Sequence, residues 1–151
     1  MPDASSQILD HADYRDEYLP LPLEDHGLVM KREEGSGPRG TVKTNVPHRV
    51  EMGSPDGFEF GYGGSGPSDL ALNAVEHLIQ HLTSEGEIEA PSDYYTEEEG
   101  QVGKGRVSTL AFRLSQEFKS RFVASAPDSG ASYDFEELRD WLLGRLEEER
   151  E

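Results

Sequence analysis

Gly57-Phe58-Glu59-Phe60-Gly61-Tyr62-Gly63-Gly64-Ser65-Gly66-Pro67-Ser68-Asp69-Leu70-Ala71-Leu72-Asn73 is the stretch on which the fold turns. Phe58, Phe60 and Tyr62 alternate with Glu59 and Gly61 at period two, which predicts a strand carrying three rings on one face. Four glycines and Pro67 then break the strand and open a helix, expected from about Ser68 to Leu82. On a helical wheel Leu70, Ala71, Leu72, Ala74, Val75, Leu78, Ile79 and Leu82 fill an arc of about 200°, wider than a surface helix needs. So broad an apolar face marks the central core helix.

Upstream, Leu28–Arg32, Thr41–Val46 and Arg49–Met52 read as short strands, separated by the turn 33–40 and closed by Gly53-Ser54-Pro55-Asp56-Gly57. Residues 1–26 contain five Asp and show no periodicity, so they are expected as a polar N-terminal arm. Downstream, residues 83–105 hold seven acids and one lysine and read as a long acidic loop inserted in the domain. A second helix is expected over about Val107–Ala124, with Val107, Leu110, Ala111, Leu114, Phe118 and Phe122 on one face. Asp134 and Glu137 have capping-box spacing for a third, with Phe135, Leu138, Trp141, Leu142 and Leu146 as its stripe. Residues 147–151 are its charged, solvated end. The expected architecture is α+β: one domain over 27–146, with a small antiparallel sheet in its N-terminal half packed against about three helices.

The chain of 151 residues carries 31 Asp and Glu against 14 Lys and Arg, a net charge of −17. The excess is spread, −5 over residues 1–40, −3 over 41–82 and −9 over 83–151. No basic cluster exists to neutralise phosphates or anionic lipids, so direct nucleic-acid or membrane binding is disfavoured. There is no cysteine, which removes disulfides, thiolate metal sites and cysteine nucleophiles. No apolar run or basic-then-apolar leader is present, so the chain is expected to be neither membrane-spanning nor secreted. Four lysines beside ten arginines, with abundant acids, suit a cytoplasm held at molar salt, where screening lengths fall to about 3 Å.

Gly61-Tyr62-Gly63-Gly64-Ser65-Gly66 matches the dinucleotide pattern G-x-G-x-x-G, but no buried parallel strand precedes it and none follows the helix. Gly63, Gly64, Ser65 and Gly66 are therefore an anion-binding candidate at a helix start, set against a plain structural turn. The same residues approach a nucleophile elbow, but Pro67 stands in the last position and no histidine is placed to reach Ser65, which reads better as an N-cap. His77 and His81 have the i, i+4 spacing of two metal ligands, without the general-base Glu of H-E-x-x-H; border histidines of a core helix are the plainer reading. Glu97, Glu98 and Glu99, with Glu85, Glu87, Glu89 and Asp93, lack the order of a calcium loop and read as a solvated charge run. Tyr94 and Tyr95 among those acids suit a protein contact, with loop anchoring as the alternative. No catalytic residue and no cofactor is expected.

The glycine motif and its flanks resemble the signature of a small domain family of bacteria, archaea and phages, known only as a domain of unknown function. Its pattern is approximately Phe-Glu-Trp-Gly-Tyr-Gly-Gly-Ser-Gly-Pro, followed by an Ala/Leu-rich helix. Phe112-Arg113-Leu114, Phe118-Lys119 and Val123-Ala124 resemble its later helix. The resemblance spans about residues 28–146, with Phe60 where Trp is commoner. It implies the domain boundaries and a phage or mobile-element setting, and no activity. Composition and resemblance together point to a non-enzymatic structural or accessory component of a virus or mobile element of a halophilic host. It would act through protein–protein contacts, by self-association or with other virion proteins, in the virion or host cytoplasm, with Tyr94, Tyr95 and Glu97–Glu99 making contacts. Two alternatives remain: an acidic DNA mimic that inhibits host defence, and a small anion or nucleotide module built on Gly61–Gly66.

Overall fold

In the computed structural model, which describes residues 8–33 and 40–149, alternation of apolar and polar side chains sets the sheet. In chain order the elements are a 3-10 turn at His11–Asp13, β1 (Glu17–Tyr18), α1 (Leu23–His26), β2 (Leu28–Glu33), β3 (Thr41–Thr44), β4 (Val50–Glu51) and α2 (Ser65–Ser84). There follow β5 (Tyr94–Thr96), β6 (Lys104–Ser108), α3 (Thr109–Phe118), a π-helical turn at Lys119–Val123, β7 (Gly130–Tyr133) and α4 (Phe135–Glu149). The fold is α+β, with an antiparallel-rich sheet and three main helices.

Leu28 and Met30 of β2 point inward while Lys31 and Glu33 face solvent, the period of a half-buried strand. β2 pairs antiparallel with β3 (Met30 with Thr44, Glu33 with Thr41) and with β7 (Leu28 with Tyr133, Lys31 with Gly130). β1 adds parallel to β3, so the sheet order is β1-β3-β2-β7. Asn45, fully buried, anchors this sheet: it accepts from Val29 N–H at 2.9 Å and donates to the carbonyls of Leu21 and Gly27 at 2.8 and 2.7 Å. A second, three-stranded sheet has the order β4-β6-β5, all antiparallel.

α2 is the centre of the core. Leu70, Ala71, Ala74, Val75, Leu78, Ile79 and Leu82 are all at zero exposure. Around them pack Phe118 and Phe122, Phe58 and Phe60, and Leu138 and Leu142 of α4. Among the described residues no helix is long and apolar enough to cross a membrane.

Four expectations are corrected. Phe58–Tyr62 is not a strand. Its backbone is satisfied from elsewhere: Phe58 N–H donates to Asp16 at 2.9 Å, Arg32 donates to the Phe60 carbonyl at 3.2 Å, and Gly61 N–H donates to the Val123 carbonyl at 3.0 Å. The segment 83–105 is not one loop, because β5 and β6 form a hairpin whose tip carries Glu97–Glu99. The second helix begins at Thr109, where the Ser108 hydroxyl caps Ala111 N–H at 3.1 Å, and Val107 lies in β6 instead. Residues 8–26 of the expected arm lie against the domain: Tyr14, Asp16 and Leu23 are buried, and Leu9 N–H donates to the His48 carbonyl at 2.7 Å. The earlier part of that arm, residues 1–7, falls outside the described residues.

Candidate functional site: the glycine turn, the polar stripe of α2 and an acid-rimmed groove

A turn that must pack a helix start beneath a loop needs residues without Cβ where backbones approach closely. At Gly66 an added Cβ would stand 2.8 Å from the Glu59 Cβ and 3.3 Å from its backbone nitrogen. Gly61 has φ +87°, and a Cβ there would meet the Asp128 carboxylate at 2.8 Å. Gly63 has open space around it, and Gly64, not Ser65, is the N-cap. The cleft beside this helix start encloses about 750 Å³ and is lined by Asp16, Glu17, Asp56 and Glu59 against Arg15. Four carboxylates facing one guanidinium repel a phosphate. The turn is close-packed at Gly61, Gly64 and Gly66 and open at Gly63.

The polar residues of α2 form a stripe at helical spacing: Asp69, Asn73, Glu76, His77 and Gln80. The first four hold neighbouring segments, and Gln80 donates to Glu76 on the same helix. The Asp69 carboxylate, almost wholly buried, accepts from the backbone N–H groups of Met52, Gly53 and Ser54 at 3.0–3.2 Å. Burial pushes its carboxyl above the usual range, and those three donors oppose the shift. Asn73 accepts from Arg49 and Val50 N–H at 2.6 and 2.9 Å and donates to the carbonyls of Val50 and Asp69 at 2.9 and 2.8 Å. Glu76 accepts from Ser108 N–H and hydroxyl at 2.9 and 2.6 Å. The stripe thus fixes β4 and the start of α3 on the core helix.

His77 Nδ1 accepts from the Arg49 guanidinium at 3.1–3.2 Å. Burial, helped by Arg49 and His81, lowers its pKa to about 4, so the ring is neutral at pH 7. His81 sits 3.7 Å from Glu24 and 3.9 Å from Glu85 and meets Phe135 edge-on. The two histidines serve different neighbours, and no third ligand-type side chain joins them among the described residues.

Tyr94 and Tyr95 are half-buried in the β5–β6 hairpin. Arg106 lies over the Tyr94 ring at 3.7 Å, and Tyr95 meets Phe112 edge-on at 5.4 Å. At the tip, Glu97 accepts from Gly105 N–H at 3.3 Å, Glu99 contacts the Thr96 hydroxyl at 3.3 Å, and Glu98 is exposed. The tyrosines anchor the hairpin, and its acids remain in solvent.

A surface that sequence reading missed lies between the Glu87–Glu89 segment, α3 and the end of α4. It is a groove of about 490 Å³ floored by Ile88, Leu110, Leu143 and Leu146 and rimmed by Glu87, Glu89, Glu147 and Glu149. Arg139 donates to Glu87 at 2.9 Å, and Arg113 grips Glu149 through two bonds of 2.8 Å; each holds its carboxyl below the ordinary range. Glu89 and Glu147 make no ion pair among the described residues. The signal in the sequence was Ile88 alternating with Glu87 and Glu89, and Leu143 and Leu146 on the flank of a stripe centred on Leu138 and Leu142.

Comparison with protein-family models, with curated proteins and with solved structures finds no match.

Proposed function

We propose that this chain is a non-catalytic binding protein that docks a basic, amphipathic segment of a partner protein in the α3–α4 groove. The observation that carries the reading is the groove itself: an apolar floor of four side chains inside a rim of four carboxylates. Such a surface suits a helix or turn presenting leucine-like anchors flanked by Arg or Lys, the helix-in-groove mode of recognition. Hydrophobic contact supplies affinity, while the rim selects cationic flanks and rejects acidic ones.

The composition supports a saline setting for this contact. At molar salt the rim is screened within about 3 Å, but burial of the floor is not weakened, so association persists. A structural or accessory role in a virus or mobile element of a halophilic host accords with that composition and with the resemblance of the glycine motif.

The test is fluorescence anisotropy with a labelled helical peptide carrying leucines at i, i+3, i+4 and i+7 between arginines, beside a peptide of equal charge with serines for leucines. Binding of the first and at least about tenfold weaker binding of the second supports the reading. Ile88→Asp, on a segment outside the helices, should cut the affinity by a similar factor. Equal binding of both peptides, or indifference to Ile88→Asp, rejects the groove.

A further inference from the structure

A separate cluster at the start of the chain is built of ligand-type side chains. One ring nitrogen of His11, one of His48 and a carboxylate oxygen of Asp16 lie within 4.8 Å of one another. Asp16 and His48 are buried, at 4% and 2% exposure. His48 Nε2 lies 3.0 Å from both Asp16 oxygens. Two ligand atoms bound to one tetrahedral zinc at about 2.0–2.2 Å each stand roughly 3.3 Å apart, so the pair needs to open by only a few tenths of an ångström.

The supporting groups are already in place. The His48 ring is held flat between Tyr14 and Phe58, with centroids at 3.8 and 3.7 Å and planes within 4° and 11°. Asp16 is oriented by the Phe58 N–H at 2.9 Å, the kind of outer bond that fixes a metal-binding carboxylate. His11 is presented by a 3-10 turn capped by Asp10, whose side chain accepts from Ala12 N–H at 3.0 Å. An independent observation points to a missing partner: among the described residues His11 Nε2 is enclosed and has no hydrogen-bond partner. A buried polar nitrogen left unmatched is costly unless something binds it. The hydrogen bonds between His48 and Asp16 satisfy that pair and leave the His11 nitrogen unexplained.

We infer that His11, His48 and Asp16 form a divalent transition-metal site of the zinc type. Two imidazoles and one carboxylate are a borderline-hard donor set that takes Zn²⁺ or Co²⁺ and leaves one position for water. The metal would tie the segment around His11 to the core, and the site shares no residue with the groove.

The experiment is a titration of the full chain with Zn²⁺ by calorimetry and with Co²⁺ by visible absorption, at high ionic strength to suppress surface acids. The expected result is one ion per chain with Kd at or below about 10 µM, a tetrahedral Co²⁺ spectrum, and a Tm rise of about 5 °C at saturating Zn²⁺. His11→Ala should weaken binding at least about tenfold, and His81→Ala should not change it. Should His11→Ala fail to fold, His11→Phe fills the same space without ring nitrogens and carries the same expectation. Absence of binding by both metals, several weak ions per chain, or affinity unchanged in the His11 variants overturns the site.

Discussion

Asn73 shows at the scale of one residue how this chain uses polarity inside its core. Its amide makes four hydrogen bonds, two of them accepted from the backbone N–H groups of Arg49 and Val50 and two donated to the carbonyls of Val50 and Asp69. Asn73→Ala leaves buried donors unmatched and should cost about 3 kcal/mol, read by urea denaturation. His77 makes a pH prediction. Its folded pKa, about 4, is depressed below the unfolded value near 6.5. Its contribution is therefore complete above pH 6.5 and lost as the pH falls toward 4. The shift corresponds to about 3 kcal/mol between those limits. Asp69, raised by burial, works in the opposite sense, its contribution fading as pH rises above the unfolded carboxyl value. His77→Gln, which can still accept from Arg49, should flatten the arm between pH 6.5 and 4; an unchanged pH profile would refute the assignment. The sequence displayed the residues of this stripe, but not their partners, because every partner lies at least 15 positions away except the neighbours on α2 itself.

At the scale of elements, the glycine motif was legible as a turn into a buried helix, and α2 covers the expected span with three more residues at its start and two more at its end. Its close packing makes a discriminating prediction. Gly66→Ala gains helix propensity of about 1 kcal/mol but presses on the Glu59 backbone, so a net loss of about 1–2 kcal/mol is expected by thermal denaturation. Gly63→Ala, with open space, should stay within about 0.5 kcal/mol. A phosphate-binding loop would show the reverse priority, with ligand affinity rather than stability as the sensitive quantity. Alternation misled at Phe58–Tyr62 because period two describes extended backbone, not pairing. Asp16, Arg32 and Val123 supply the bonds a neighbouring strand would give. β7 escaped notice because Gly130-Ala131-Ser132-Tyr133 has almost no apolar signature, and its pairing with β2 across about a hundred residues is purely tertiary.

For the whole molecule, the α+β class followed from the order of periods along the chain. The groove was not legible. Its floor comes from three separate segments, and half-buried leucines on the edge of a stripe look the same in sequence whether a neighbour covers them or not. Charge and floor together make the central claim, that cationic amphipathic segments bind here and not at the tyrosine hairpin. The most direct test is an NMR titration of the isotope-labelled chain with the leucine–arginine peptide at high salt. Chemical-shift changes concentrated at residues 87–89, 110 and 143–149 are the expected result. Changes centred on residues 94–106, or none at saturating peptide, would contradict it.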